Sequence, residues 1–148
     1  MIALGCDHAG YPLKEAVRQY LDSIGEAYTD FGTDSTESVD YPIYAAKAAH
    51  AVADGQCGCG ILCCGTGIGI SIAANKVKGI RAAVCSDAYS TEMTRMHNDA
   101  NILCLGARVI TEEKALELVR IFLQTPALNE ERHQRRVQML QDIENGIL

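Results

Sequence analysis

The chain has 148 residues, of which 48% are hydrophobic and 22% are charged, as in ordinary globular proteins. This length predicts a single domain over residues 1–148 with a substantial core. The net charge of −6 argues against general nucleic-acid binding, which needs a basic face. No apolar run approaches the roughly 20 residues of a membrane span, and no basic leader precedes the first apolar run. We therefore expect a cytoplasmic protein.

The predicted elements alternate between short apolar strands and amphipathic helices. The strands are predicted at Ile2–Cys6, Ala27–Phe31, Gly60–Cys63, Arg81–Cys85 and Ile102–Leu105. The helices are predicted from Pro12 to Gly25, Pro42 to about Ala53, Ser71–Lys76, Ala88–His97, from the N-cap Thr111, and from Asn129 to about Asn145. This alternation predicts a Rossmann-like three-layer α/β sandwich with a five-stranded parallel sheet and a C-terminal helix.

Polar residues follow several of these strands, where open parallel sheets bind their ligands. Asp7 and His8 follow the first strand, and Cys64 with a glycine loop follows the third. Ser86 and Asp87 follow the fourth, and Gly106 and Arg108 follow the fifth.

The most informative of these segments is Cys64 with the loop Gly65-Thr66-Gly67-Ile68-Gly69. Alternate glycines let the backbone turn tightly, and its amides can then face an anion beside a thiol. The spacing differs from the dinucleotide fingerprint, and the nucleotide P-loop sequence is absent. Ile70 stands where cysteine-dependent phosphatases need an arginine. Binding of a smaller anion, such as a sugar phosphate, remains.

Seven cysteines raise the question of a metal site. The segments Cys57–Cys59 and Cys63–Cys64 do not have the usual spacing of zinc ligands, and no pair of histidines completes a set. We predict no metal, and we interpret most of these thiols as small buried hydrophobes.

Other candidates each have a structural interpretation beside the functional one. His8 can simply close a turn, and His97 can stand at the C-terminus of its helix because the helix dipole favours a histidine there. Arg132, Arg135 and Arg136 share one helix face, which is usually solvated, yet paired arginines also suit a phosphate.

Seven segments in this order resemble the ribose-5-phosphate isomerase B family, which includes allose-6-phosphate and galactose-6-phosphate isomerases. They span nearly the whole chain: Gly5–Gly10, Val39–Pro42, Cys64–Lys76, Gly79–Ala82, His97–Asn101, Gly106–Val109 and Arg132–Val137.

The resemblance implies an isomerase for phosphorylated sugars that uses neither metal nor organic cofactor. It places the proton-abstracting base on Cys64 and the ring-opening acid–base group on His97. Some members carry a glutamate base where this chain has Asn75, so the chain is of the cysteine type. The enediolate oxygens are expected on the loop amides and on Thr66. Further substrate contacts are expected at Asp7, His8, Gly65, Gly67, Ile68, Gly69, Asn98, Arg108, Arg132 and Arg136.

The resemblance also implies a homodimer or homotetramer whose pocket is shared between two subunits. One departure is visible, because Glu130 and Glu131 stand where the family often has two glycines. The favoured reaction interconverts ribose 5-phosphate and ribulose 5-phosphate. A six-carbon sugar phosphate and a non-catalytic sugar-phosphate-binding module remain the alternatives.

Overall fold

The computed structural model describes residues 1–148 and contains five strands and six helices. The strands are β1 (Ile2–Cys6), β2 (Tyr28–Asp30), β3 (Cys59–Cys64), β4 (Ala82–Val84) and β5 (Ile102–Gly106). The helices are α1 (Tyr11–Ile24), α2 (Tyr41–Ala53), α3 (Ile68–Ala74), α4 (Ala88–Asn98), α5 (Glu112–Gln124) and α6 (Glu131–Glu144). Each predicted element is present, with bounds that differ by up to three residues at the start.

All strand pairs are parallel, in the order β2-β1-β3-β5-β4, which confirms the predicted sheet. Cys6 pairs with Cys63, and Cys64 pairs with Gly106, so the carboxyl ends of β1, β3 and β5 lie level. The chain leaves β1 in one direction across the sheet and β3 in the other. A crevice forms at such a switch point, beyond the ends of β1 and β3.

Helices cover both faces of the sheet because its strands are apolar on both sides. One buried cluster joins β-strand residues to α1 and α5, and the other joins them to α2 and α3. Cys63 belongs to the first cluster and Cys64 to the second, as the alternation along a strand predicts.

The ends of several helices follow from single residues. Gly25 ends α1 in the left-handed region, with φ 74°, and Thr111 caps α5 by accepting a hydrogen bond from the Lys114 amide. The predicted start of α3 at Ser71 is wrong. Gly67, with φ 79°, caps the helix directly after the loop, so α3 begins at Ile68.

Helix α6 lies outside the three layers and packs against α4. Its predicted apolar stripe is largely uncovered, since Leu140 is 47% exposed and Ile143 is 58% exposed. No helix in the structure is both long enough and apolar enough to cross a membrane.

Candidate active site

Cys64 is the last residue of β3 and lies at the crevice between β1 and β3. Its side chain is nearly buried, and the Gly67 amide donates a hydrogen bond to Sγ over 3.1 Å. The loop that follows the strand therefore returns to the sulfur and places a backbone N–H donor on it.

The glycines of this loop are required by close packing as well as by conformation. A Cβ on Gly67 would lie 2.8 Å from Cγ2 of Val84 and 2.9 Å from the Leu105 carbonyl carbon. A Cβ on Gly106 would lie 2.5 Å from the Thr66 carbonyl oxygen. The loop thus rests directly on the end of β5, which holds its amides in one place.

Thr66 and Arg108 complete this side of the crevice. The exposed Thr66 accepts a hydrogen bond from the Ile68 amide through Oγ1 at 3.2 Å. The Arg108 amide donates to the Gly65 carbonyl at 2.9 Å, and its guanidinium lies over Gly65. The segments after β3 and β5 therefore form one continuous rim.

Asp7 and His8 form the opposite rim, after β1. The buried Asp7 carboxylate accepts the Gly10 amide at 2.9 Å, which fixes the turn into α1. The Val39 amide donates to Nδ1 of His8 at 3.1 Å. Because that lone pair is occupied, the proton of the neutral imidazole lies on Nε2, which is free to donate to a ligand.

The neighbouring thiol, Cys63, differs from Cys64 in its surroundings. Cys63 is wholly buried on the α1–α5 face, and burial raises its pKa well above the usual value. A thiol that stays protonated in an apolar core is inert, so the two adjacent cysteines have separate roles.

His97 and Asn98 lie at the C-terminus of α4, where they meet α6. The His97 ring stacks on that of His133, with centroids 4.3 Å apart and planes 7° from parallel. Burial lowers the pKa of His133, and the electrostatic effects of the neighbouring His97 and Arg132 lower it further. A cleft of about 260 Å³ beside the pair contains none of the residues that follow the strands.

Asp99 fixes the end of α4. It is the one residue other than glycine with a positive φ, 46°. Its carboxylate lies 2.9 Å from Nη1 of Arg95 and 3.3 Å from Nη2 of Arg81. Arg95 also donates to the Thr125 carbonyl at 3.1 Å, so the network ties α4 to the end of α5. These contacts set the positions of His97 and Asn98.

The arginines predicted to bind phosphate lie on α6, beside this second cluster. Arg132 and Arg136 are exposed, and Nε of Arg132 donates to Nε2 of His133 at 3.4 Å. Nη2 of Arg132 lies 3.0 Å from the Glu130 carboxylate. Glu130, one of the two residues that replace the family's glycines, therefore forms an ion pair with Arg132.

One chain does not bring Cys64 and His97 together. Cys64 pairs with Gly106 at the carboxyl end of β5, whereas His97 precedes Ile102 at the amino end. A strand of five residues extends for about 13 Å. The two clusters therefore lie beyond opposite ends of the strands, the Cys64 cluster at the carboxyl ends and the His97 cluster at the amino ends. His8 and Arg132 are separated in the same way.

Asn75 is hydrogen-bonded to the backbone of β4. Its side-chain oxygen accepts the Ala82 amide at 2.7 Å, and its side-chain nitrogen donates to the Ala82 carbonyl at 2.9 Å. The position where other members carry a glutamate therefore anchors the edge strand β4 in this chain.

Three residues near the site were missed as functional candidates. His133 stacks on His97, Asp99 fixes α4, and the Tyr41 ring packs against Gly69 so closely that a Cβ there would lie 2.9 Å from Cζ. All three lie inside the segments that resemble the family, and this was the only feature of the sequence that could have marked them as functional candidates. The contacts His133–His97, Tyr41–Gly69 and Asp99–Arg81 join residues distant in sequence, so periodicity and spacing gave no indication of them.

The chain is similar to known proteins over nearly its whole length. The Ribose/Galactose Isomerase family model matches residues 2–140. The chain is 49% identical over 143 residues to ribose-5-phosphate isomerase B of Escherichia coli, covering 97% of this chain and 95% of the relative.

A second relative is D-erythrulose-4-phosphate isomerase of Pectobacterium atrosepticum, 48% identical over 123 residues, covering 82% of this chain and 81% of the relative. The structure of ribose-5-phosphate isomerase B of Clostridium thermocellum superposes with a TM-score of 0.96, at 49% identity and 99% coverage of both chains. This chain therefore belongs to the ribose/galactose isomerase family.

Proposed function

We propose that this protein interconverts ribose 5-phosphate and ribulose 5-phosphate through an enediolate, with Cys64 as the base. The observation that carries the proposal is the Gly67 amide on Cys64 Sγ, in a crevice beside a glycine loop whose Thr66 and Ile68 are exposed. Family membership and near-full-length similarity to ribose-5-phosphate isomerases supply the reaction class.

In this mechanism Cys64 removes the proton from C2 and returns it to C1. Thr66 and the amides from Gly65 to Gly69 hold the oxygens on which negative charge develops, an interaction typically worth about 2.7–4 kcal/mol per donor. The proton comes from a carbon beside the carbonyl, so the base must be held within reach of that carbon.

We propose further that two copies of the chain share each site. One copy supplies Asp7, His8, the Cys64 loop and Arg108. The other supplies His97, which opens the sugar ring, with Asn98, Arg132 and Arg136. The placement of Cys64 and His97 at opposite ends of β5 within one chain supports this arrangement. So do the exposed apolar side chains beside each cluster: Ile68 and Ile72 near the loop, and Leu140 and Ile143 on α6.

Proton exchange tests the base. In Cys64→Ala, exchange of the C2 hydrogen with solvent is expected to fall by about 10³-fold, while binding of ribose 5-phosphate is nearly retained. Cys63→Ala is the matched control, because its thiol lies on the other face of the sheet. Exchange at the wild-type rate in Cys64→Ala would remove the base from this residue.

Mixing two inactive variants tests the shared site. Cys64→Ala and His97→Ala are refolded together and assayed with cyclic ribose 5-phosphate. In a symmetric dimer, random pairing makes about half of the molecules mixed, and each mixed molecule regains one of its two sites. About a quarter of wild-type activity is therefore expected. No recovery in a mixture of demonstrated mixed dimers would place both residues in one chain's site.

Four- and six-carbon sugar phosphates are the second candidates. The D-erythrulose-4-phosphate isomerase relative and the galactose in the family description favour testing them. A panel of ribose 5-phosphate, D-erythrulose 4-phosphate, allose 6-phosphate and galactose 6-phosphate, compared by kcat/KM, distinguishes them. Iodoacetamide inactivation with substrate protection separates a catalyst from a non-catalytic binding module.

A further inference from the structure

Glu130 pairs with an arginine of the proposed phosphate-binding surface and does not cap its helix. It is the N-cap residue of α6, yet its side chain makes no capping hydrogen bond. Its Oε2 instead lies 3.0 Å from Nη2 of Arg132. The same oxygen lies 3.8 Å from Nε2 of His133.

Arg132 is occupied within its own chain. Its Nη2 faces Glu130, and its Nε donates to His133 at 3.4 Å. These are the donors that a guanidinium presents to a phosphate when it binds in a forked geometry. Arg136 lies one turn further along the same helix and forms no ion pair within the chain, so the two arginines differ in availability.

We propose that Glu130 competes with the substrate's phosphate for Arg132 and thereby weakens binding of phosphorylated ligands. This inference rests on the proposed function, in which Arg132 contacts the phosphate. A phosphate that takes Arg132 must displace the carboxylate or bind beside it, and both cost affinity.

The neighbouring residue provides a matched control. Glu131 carries the same charge in the first turn of the same helix and has no ion-pair partner. Glu130→Gln and Glu131→Gln therefore change the net charge and the helix-terminus charge equally. Only the first variant removes the pair with Arg132.

The experiment measures inorganic phosphate as a competitive inhibitor of ribose 5-phosphate isomerisation by the full-length protein. Glu130→Gln is expected to lower the Ki and the KM by about two- to fivefold, the range of an exposed ion pair, with Glu131→Gln close to wild type. The difference is expected to shrink in high salt because exposed charges are screened. Equal shifts in the two variants would overturn the proposal.

A double substitution tests whether the effect passes through Arg132. In an Arg132→Gln background, Glu130→Gln is expected to give no gain in phosphate affinity. A gain that persists there would also overturn the proposal. A wild-type protein that lacks isomerase activity, or that phosphate does not inhibit, would instead contradict the proposed function. Normal activity and inhibition with no effect specific to Glu130 would contradict this inference alone.

Discussion

The cluster around Cys64 and the cluster around His97 are held in place by different forces. At Cys64 the backbone does the positioning: Gly67 and Gly106 let the loop after β3 rest on the end of β5, and the Gly67 amide reaches the sulfur. At His97 side chains do it, through a stacked ring and two arginine–aspartate pairs.

This difference implies different tolerance to change. Backbone contacts at van der Waals distance cannot adapt to an added methyl group, whereas exposed or half-buried side-chain pairs contribute little each and can rearrange. The Cys64 cluster should fail abruptly on substitution, and the His97 cluster should fail gradually. The following predictions test that contrast.

The largest effect is expected for Gly10→Ala. A Cβ at this position would overlap the Cys63 carbonyl oxygen and lie 2.8 Å from the Cys64 nitrogen. Because φ at Gly10 is −87°, the cost is steric, and we expect about 3 kcal/mol of destabilisation with loss of activity. Gly58→Ala is the control, since a Cβ there meets nothing within 4 Å. Urea unfolding measures both, and equal stabilities would refute the account.

A smaller effect is expected for Asp99→Ala. Alanine is disfavoured at φ 46° and lacks the carboxylate that binds Arg81 and Arg95, so we expect a loss of about 1–2 kcal/mol. Turnover of cyclic ribose 5-phosphate is expected to fall more than turnover of an acyclic analogue, because the ring-opening His97 is displaced. Asp99→Asn retains the backbone preference and separates conformation from charge. Equal loss on both substrates would argue against a positioning role.

A pH-dependent effect is expected from His133. Its folded pKa is lowered, so the unfolded chain binds the proton first as pH falls. The stability from keeping this ring neutral is fully present above about pH 6.5 and is lost progressively below it, towards the folded pKa. Unfolding between about pH 7.5 and 5.5 is expected to show a smaller stability loss in His133→Phe than in wild type. The same loss in both would contradict the assignment.

No gain is expected when Asn75→Glu is added to Cys64→Ala. The Asn75 side chain bonds both backbone groups of Ala82, so position 75 is committed to β4. Solvent exchange at C2 should stay at the Cys64→Ala level. Recovery of exchange would mean that a carboxylate here reaches the substrate, as in members with a glutamate base.

The sequence by itself determined the parallel α/β architecture, because short continuous apolar runs, typical of buried strands, alternate with stretches whose apolar residues recur with the period of a helix. It also determined the Cys64 loop, because strand end, glycines and helix start are adjacent in the chain. The capping residues Gly25 and Thr111 were predicted for the same reason, since each acts within a few residues of itself.

The tertiary structure alone decided what depends on residues distant in sequence. It placed His97 and Arg132 beyond the end of the strands opposite to Cys64. It also stacked the His133 ring on that of His97 and fixed Asp99 between Arg81 and Arg95. It also bound Asn75 to β4 and left the stripe of α6 exposed. Local patterns specify elements, but which side chains meet depends on strand order and on how the helices pack across the sheet.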